Sequence, residues 1–159
     1  MNPRTAYQRR LGLLALLGLA GIYLLAPWPG PQAVVHAFVV LGIASVLRTY
    51  LSCVILAAGA GWALEIFLRG YPGMGGTPLA NMVCALLFWY SLSISPPGKP
   101  LTYYFQLALV VILHAFMTYF LVNVAAGSHV MGNGWQWTLV ILPFWGPLAW
   151  RLYKPPHMR

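Results

Sequence analysis

The chain has 159 residues, of which 60% are hydrophobic and 6% charged, and Glu65 is the single acidic residue against nine Lys and Arg. A soluble domain carries roughly 25% charged residues and must present polar groups to water, so this composition excludes one. The net charge of +8 does not indicate nucleic acid, because the basic residues lie at the ends of apolar segments rather than on one solvated stripe. The sequence therefore predicts an all-α integral membrane protein.

Six apolar runs follow one another along the chain, separated by segments rich in Gly and Pro. A hydrocarbon core of ~30 Å requires about 20 helical residues, with ~17 to 25 tolerated, and such breakers end a lipid-exposed helix. The runs are Leu11–Pro27, Ala33–Leu47, Leu51–Leu68, Leu79–Ile94, Leu101–Val124 and Trp135–Trp150. We expect six transmembrane helices in a single domain that covers residues 1–159. The second run is the weakest of them, so five spans is the alternative.

The basic residues predict an orientation for six spans. If the N-terminus is cytoplasmic, only Arg69 lies outside, and the other eight basic residues lie inside: Arg4, Arg9, Arg10, Arg48, Lys99, Arg151, Lys154 and Arg159. Cytoplasmic loops carry an excess of Lys and Arg, and any five-span arrangement would place one basic terminus on the wrong side. We therefore expect both termini in the cytoplasm and the first run to be a retained signal-anchor helix.

Small residues are concentrated in the first and third runs. Gly12 and Gly18 lie in the first run, and the third contains the stretch 57–61, which reads AAGAG. Small side chains allow two helices to approach closely and associate by van der Waals contact. The third run is therefore predicted to form a tight interhelical seam.

The reactive groups of known membrane enzymes are mostly missing from the sequence. An intramembrane aspartyl enzyme needs two carboxylates, and the chain has one acidic residue. The sequence contains no HExxH for a metalloprotease, and no GxSxG frames Ser45, Ser52, Ser91 or Ser93. Cys53 and Cys84 lie separately within apolar runs and are expected to be small buried side chains. We expect no catalytic residue, no metal site and no cofactor.

Two histidines lie within the spans. A pair of facing histidines such as His36 and His114 could hold a haem, and an absorbance spectrum of the purified protein would test a haem or quinone enzyme directly. The alternative is that each ring is hydrogen-bonded to a neighbouring helix or exposed in a polar pocket.

Glu65 is the side chain that most needs an explanation. An ionisable group within a span costs about 2.5 to 3.5 kcal/mol on insertion scales and is a functional-site hypothesis by default. One interpretation is an interfacial ion pair with Arg69, one helical turn later. The other places Glu65 in the interior, where it orients the third and fourth spans. With Asn81 and Asn123 in the same half of the membrane, these residues form the candidate set for a cavity or a partner-facing surface.

The order of features resembles the rod shape-determining protein MreD family over nearly the whole chain. The first helix ends in APWPGPQAVV, and the segment GWALEIFLRGYPGMGGTPLANM resembles the family's third span, in which an acidic residue is followed eight residues later by glycine, here Glu65 and Gly73. The fifth run continues as FLVNVAAGS, and the chain closes with WTLVILPFWGPLAWRLYK. The family's acidic residue is commonly aspartate, and the loop after it is unusually rich in Gly and Pro here.

That resemblance implies a subunit of the machinery that elongates the bacterial cell wall. It implies a multi-pass protein of the inner membrane that binds MreC and is linked to MreB, RodA and a class B penicillin-binding protein. It also implies a fold similar to the six-helix S-component of energy-coupling-factor transporters. On this basis we expect a non-enzymatic scaffold surrounded by membrane lipid. A solute-binding transporter subunit is the alternative, and it would need convergent polar groups in an outward-opening pocket.

The charge distribution gives a topology that reporter fusions can measure. Fusions at Gly30, Gly73 and Gly132 are expected to report an external position, and fusions at Arg48, Lys99 and the C-terminus a cytoplasmic one, because basic loops stay inside. A fusion at Lys99 that reports an external position would contradict six spans.

Overall fold

In a computed structural model the chain is described over residues 3–25, 27–47, 49–69, 75–124 and 134–153. These residues form six α-helices and no strand, which confirms the all-α prediction for this part of the chain. The helices are α1 (Pro3–Leu24), α2 (Pro29–Val46), α3 (Tyr50–Ala63), α4 (Gly76–Ile94), α5 (Pro100–Thr118) and α6 (Gly134–Tyr153). Short π-helical segments, Leu64–Arg69 and Tyr119–Val124, continue α3 and α5.

Each predicted run overlaps one α-helix, and the third and fifth runs also cover π-helical residues. Several boundaries differ. Helix α1 begins at Pro3 rather than Leu11, because Arg and Gln are good helix formers although they are not apolar. Helix α4 begins at Gly76, within the segment that we assigned to a breaker. Pro78 lies in its first turn, where the missing N–H removes no helical hydrogen bond.

Three helical segments are long and apolar enough to cross a membrane among the described residues. They are Tyr50–Phe67, Gly76–Ile94 and Pro100–Leu121. The apolar part of α2, Pro31–Val46, is shorter, and the predicted spans on α1, α2 and α6 stay predictions.

Helix α2 lies at the centre of the bundle and contacts each of the other five helices. Every residue from His36 to Ala44 is buried. A helix that is hydrophobic on all sides is typical of such a central position. Gln32, near its start, donates from Nε2 to the backbone oxygen of Ile22 at 3.1 Å and so joins α2 to α1.

An aromatic cluster closes one end of the bundle. The ring of Tyr103, at the start of α5, lies 5.8 Å from Phe88 of α4, 5.6 Å from Trp150 of α6 and 4.9 Å from Tyr153 of α6. Rings at these separations attract one another beyond the effect of area burial alone. The cluster therefore holds the end of α4, the start of α5 and the end of α6 together.

The same end of the bundle carries basic residues. The indole Nε1 of Trp89 donates to the backbone oxygen of Leu47 at 3.2 Å, which brings the end of α2 to this side. Lys99 and Arg151 are exposed here. Helix α1 runs antiparallel to α2, since the glycines of α1 face Val39 and Val35 in that order, and its exposed Arg9 therefore reaches the same end. We call this the basic end.

The seam between α3 and α4 is the most extensive helix pair, and small residues create it. Cys53, Ala57 and Gly61 are buried along one face of α3. A Cβ added at Gly61 would lie 2.5 Å from the Cα of Pro78 and 3.0 Å from Nδ2 of Asn81. Only glycine permits this approach. The predicted tight seam is thus confirmed for Ala57 and Gly61, whereas Gly59 is exposed with no neighbour within 4 Å of an added Cβ.

Gly61 and Gly59 form a matched pair of positions on one helix. Gly61→Ala is expected to lower the free energy of unfolding by about 1–3 kcal/mol, the usual effect of overpacking, because the clash is with backbone that cannot rotate away. Gly59→Ala is expected to be neutral or to stabilise by up to ~1 kcal/mol, because alanine is the better helix former. Thermal unfolding in detergent measures both, and equal stability of the two variants would contradict the close approach.

Candidate functional site

The amide of Asn81 joins three other helices in the interior of the bundle. Asn81, on α4, is fully buried. Its Nδ2 donates to Nε2 of His36 on α2 at 2.9 Å and to the backbone oxygen of Ala57 on α3 at 3.1 Å. Its Oδ1 accepts from Nε2 of His114 on α5 at 2.7 Å. Four helices therefore meet at one amide group.

The backbone oxygen of Ala57 determines which way the amide points. A carbonyl oxygen accepts hydrogen bonds and cannot donate them, so Nδ2 and not Oδ1 must face Ala57. The reversed amide would bring two acceptors together. The orientation of Asn81 is therefore fixed by a main-chain group and not by the histidines.

This amide orientation determines the tautomers of both histidines. His36 receives an N–H at Nε2, so its neutral ring carries the proton on Nδ1. His114 donates from Nε2, so its Nδ1 is the acceptor of the neutral ring, and the hydroxyl of Thr118 lies 3.5 Å from that Nδ1. Both rings are buried, with exposures of 2% and 3%. We call His36, Asn81, His114 and Thr118 the amide network.

A second polar contact lies towards the end of the bundle opposite the basic end. Glu65 is 3% exposed, and its Oε1 accepts the backbone N–H of Thr77 at 2.7 Å. Thr77 lies in the first turn of α4, where backbone N–H groups have no partner within the helix. A carboxylate is favoured at this position because the N-terminus of a helix carries a partial positive charge. Glu65 thus caps α4 from the π-helical segment that follows α3.

The two contacts lie one helical turn apart on the same seam. Glu65 follows Gly61 by four residues, and Thr77 precedes Asn81 by four. Since a turn of helix rises about 5.4 Å, the carboxylate layer lies roughly that distance from the amide layer. The close approach at Gly61 is what allows both contacts to form.

The structure separates the four candidate residues that the sequence selected. Asn81 and Glu65 are buried within the bundle and bind groups on neighbouring helices, and their role at a cavity or a partner-facing surface stays a prediction. The side chains of Arg69 and Asn123 lie outside the described residues, so the Glu65–Arg69 ion pair stays a prediction.

The sequence analysis did not predict the hydrogen-bonding roles of Thr77 and Thr118. It also did not predict that His36 and His114 both bind the side-chain amide of Asn81. Thr118 follows His114 by four residues on one helical face, and that spacing is a usable signal. Thr77 had no such signal, because it acts through its backbone N–H. Among the described residues no group of three or more His, Cys, Asp and Glu side chains is placed to hold a metal ion.

The outer surface carries apolar grooves. One groove of about 690 Å³ lies between α5 and α6 and is lined mainly by carbon atoms. Its lining residues are Leu101, Thr102, Tyr104, Phe105, Ala108, Leu142 and Pro143. Such a groove suits an acyl chain or an apolar side chain rather than a polar solute.

Comparison with known proteins gives no relative. No family model matches the chain, and no curated protein or solved structure is significantly similar to it.

Replacing Asn81 tests whether the amide network stabilises the bundle. Asn81→Leu keeps much of the volume but removes the hydrogen bonds of Asn81 to His36, Ala57 and His114, and loss of a buried hydrogen-bond partner costs about 1–3 kcal/mol. We expect the free energy of unfolding in detergent to fall by at least that amount. The control is Ser93→Ala, since Ser93 is exposed and its Oγ donates to its own helix, at Trp89. That variant is expected to stay within about 0.5 kcal/mol of the original protein.

A double-mutant cycle provides the sharper form of the test. If Asn81 and His114 act through their mutual bond, the effects of Asn81→Leu and His114→Phe will differ from additivity by about 0.5–3 kcal/mol. Additive effects would contradict a shared network.

Proposed function

We propose that the chain is a non-enzymatic scaffold subunit of the bacterial cell-wall elongation complex, similar to the MreD family. It would cross the inner membrane six times with both termini in the cytoplasm, in an arrangement similar to the S-component of energy-coupling-factor transporters. Its partners would be MreC and, through it, MreB, RodA and a class B penicillin-binding protein.

The observation that carries the proposal is the use made of the polar side chains in the interior. His36, Asn81 and His114 bind one another across α2, α4 and α5. Oxygen and nitrogen atoms that would otherwise contact a substrate stabilise the arrangement of the helices instead. A bundle fixed in this way suits a protein whose task is to present a defined shape to other membrane proteins.

Two further observations support it. The exposed basic residues Arg9, Lys99 and Arg151 lie at one end of the bundle, as the positive-inside rule requires for cytoplasmic termini. The lateral surface between α5 and α6 is grooved and apolar, and in lipid helices associate by close packing of such surfaces.

The position of the buried polar groups makes a solute-binding transporter subunit the second candidate function. The amide network and Glu65 lie towards the end opposite the basic residues, which is the external end in the proposed topology. A transported solute would have to reach them there and replace bonds that are already formed, whereas a scaffold needs no such exchange.

Co-purification distinguishes the two functions. The full chain, tagged and purified from bacterial membranes in mild detergent, is expected to bring down a bitopic periplasmic protein of the MreC type, identified by mass spectrometry. Because the proposal depends on the shape of the bundle, Gly61→Ala is expected to reduce that recovery severalfold and Gly59→Ala to leave it unchanged. Recovery of an ATPase-coupled energising subunit in place of the bitopic protein would overturn the scaffold and support transport.

A further inference from the structure

Two buried oxygen atoms beside the cap of α4 have no hydrogen-bond partner among the described residues. One is Oε2 of Glu65, whose other oxygen binds the N–H of Thr77. The second is Oγ1 of Thr77 itself, on a residue that is 1% exposed. Buried polar atoms in folded proteins are nearly always paired with protein, water or an ion. Here two such atoms belong to Glu65 and Thr77, which are joined by a hydrogen bond. This indicates that a further group, other than the described side chains, contacts both oxygens.

The chemistry of these oxygens restricts the missing group. An ionised carboxylate only accepts hydrogen bonds, and a hydroxyl oxygen has lone pairs to offer. A second acceptor would be repelled here, so the group is a donor or a cation. The N-terminus of α4 supplies only a partial positive charge, so a cation compensates the buried carboxylate of Glu65 more fully than a neutral water does.

The charge of the site selects among cations. Glu65 is the single acidic residue of the chain, so the protein contributes one negative charge. Calcium and magnesium sites in proteins use several carboxylates or substrate phosphates. Soft metals prefer thiolate and thioether ligands, and the part-buried sulfur pair of Cys84 on α4 and Met117 on α5 is a separate contact of 3.9 Å. Along α4, Asn81 lies between Cys84 and Thr77. One carboxylate with hydroxyl oxygen suits a hard cation of a single charge.

We propose that Glu65 and Thr77 bind a monovalent alkali cation between the end of α3 and the start of α4. The cation contacts Oε2 of Glu65 and Oγ1 of Thr77, while Oε1 continues to cap α4. It neutralises the carboxylate and ties together the two helices whose close approach Gly61 permits. This inference goes beyond the scaffold function and does not depend on it.

Thermal stability in three salts tests the site. The full-length protein in a neutral detergent is unfolded in the chloride salts of sodium, potassium and N-methyl-D-glucamine at equal ionic strength. The large organic cation controls for screening because it cannot enter a buried site. A ligand that binds the native state alone raises its stability as the ligand concentration rises, so sodium or potassium is expected to raise the Tm by several degrees over N-methyl-D-glucamine.

Three variants assign the effect to these atoms. Thr77→Val keeps the shape and the backbone N–H but removes Oγ1, and is expected to weaken the cation's apparent affinity about tenfold, the equivalent of one ligand bond. Glu65→Gln is expected to abolish the salt difference. Arg69→Gln is the control for a direct ion pair and is expected to keep the salt difference, since the proposal assigns Oε2 of Glu65 to a cation from solution.

The outcomes that overturn the proposal are equally specific. Identical Tm values of the unmodified protein in the three salts would mean that a buried water alone fills the site. A salt difference that appears only in Arg69→Gln would mean that Arg69 is the natural partner of Glu65. If Glu65→Gln fails to fold, direct binding of radioactive sodium is measured for the unmodified protein and for Thr77→Val. Equal binding by these two proteins would overturn the proposed cation site.

Discussion

A single primary amide organises the interior of this protein. Because Asn81 is fully buried, each of its polar atoms needs a partner, and the partners lie on α2, α3 and α5. Lipid is as apolar as leucine, so burial of apolar surface alone gives helices little reason to prefer one arrangement over another. Directional bonds from one residue to three other helices supply that preference. The central position of α2 follows, because His36 must reach α4 from within the bundle.

The amide network depends in turn on how closely two backbones approach. At Gly61 the main chain of α3 comes so near to Pro78 that no side chain fits between them. That approach brings the carbonyl of Ala57 within reach of Asn81 and the carboxylate of Glu65 within reach of the first turn of α4. The packing of small residues and the interhelical hydrogen bonds are therefore coupled at this seam, since neither hydrogen bond would form at an ordinary interhelical distance.

The sequence predicted the helices well and the contacts between them poorly, for a physical reason. Apolar runs and the Gly- and Pro-rich segments between them are local features of the sequence, and AAGAG indicated the seam on α3 before any partner was known. The partner of Asn81 could not be deduced, because pairing across helices depends on rotation about each helix axis, which six uniformly apolar runs leave undefined. Glu65 shows the same limit. Its nearest charged residue in sequence is Arg69, yet the contact that the structure describes is to a backbone N–H twelve residues away. The start of α4 was missed because Gly and Pro were taken as breakers where they form a first turn.

The spacing of the amide network along the chain has a consequence for biogenesis. His36 precedes Asn81 by 45 residues, and His114 follows it by 33. Ribosomes deliver the helices in order, so in the proposed membrane topology α2 and α4 would enter the bilayer before α5 has been synthesised. During that interval Oδ1 of Asn81 would lack the donor that His114 supplies. The polar interior of the bundle is therefore completed only by its fifth helix, when His114 supplies the last hydrogen bond to the amide.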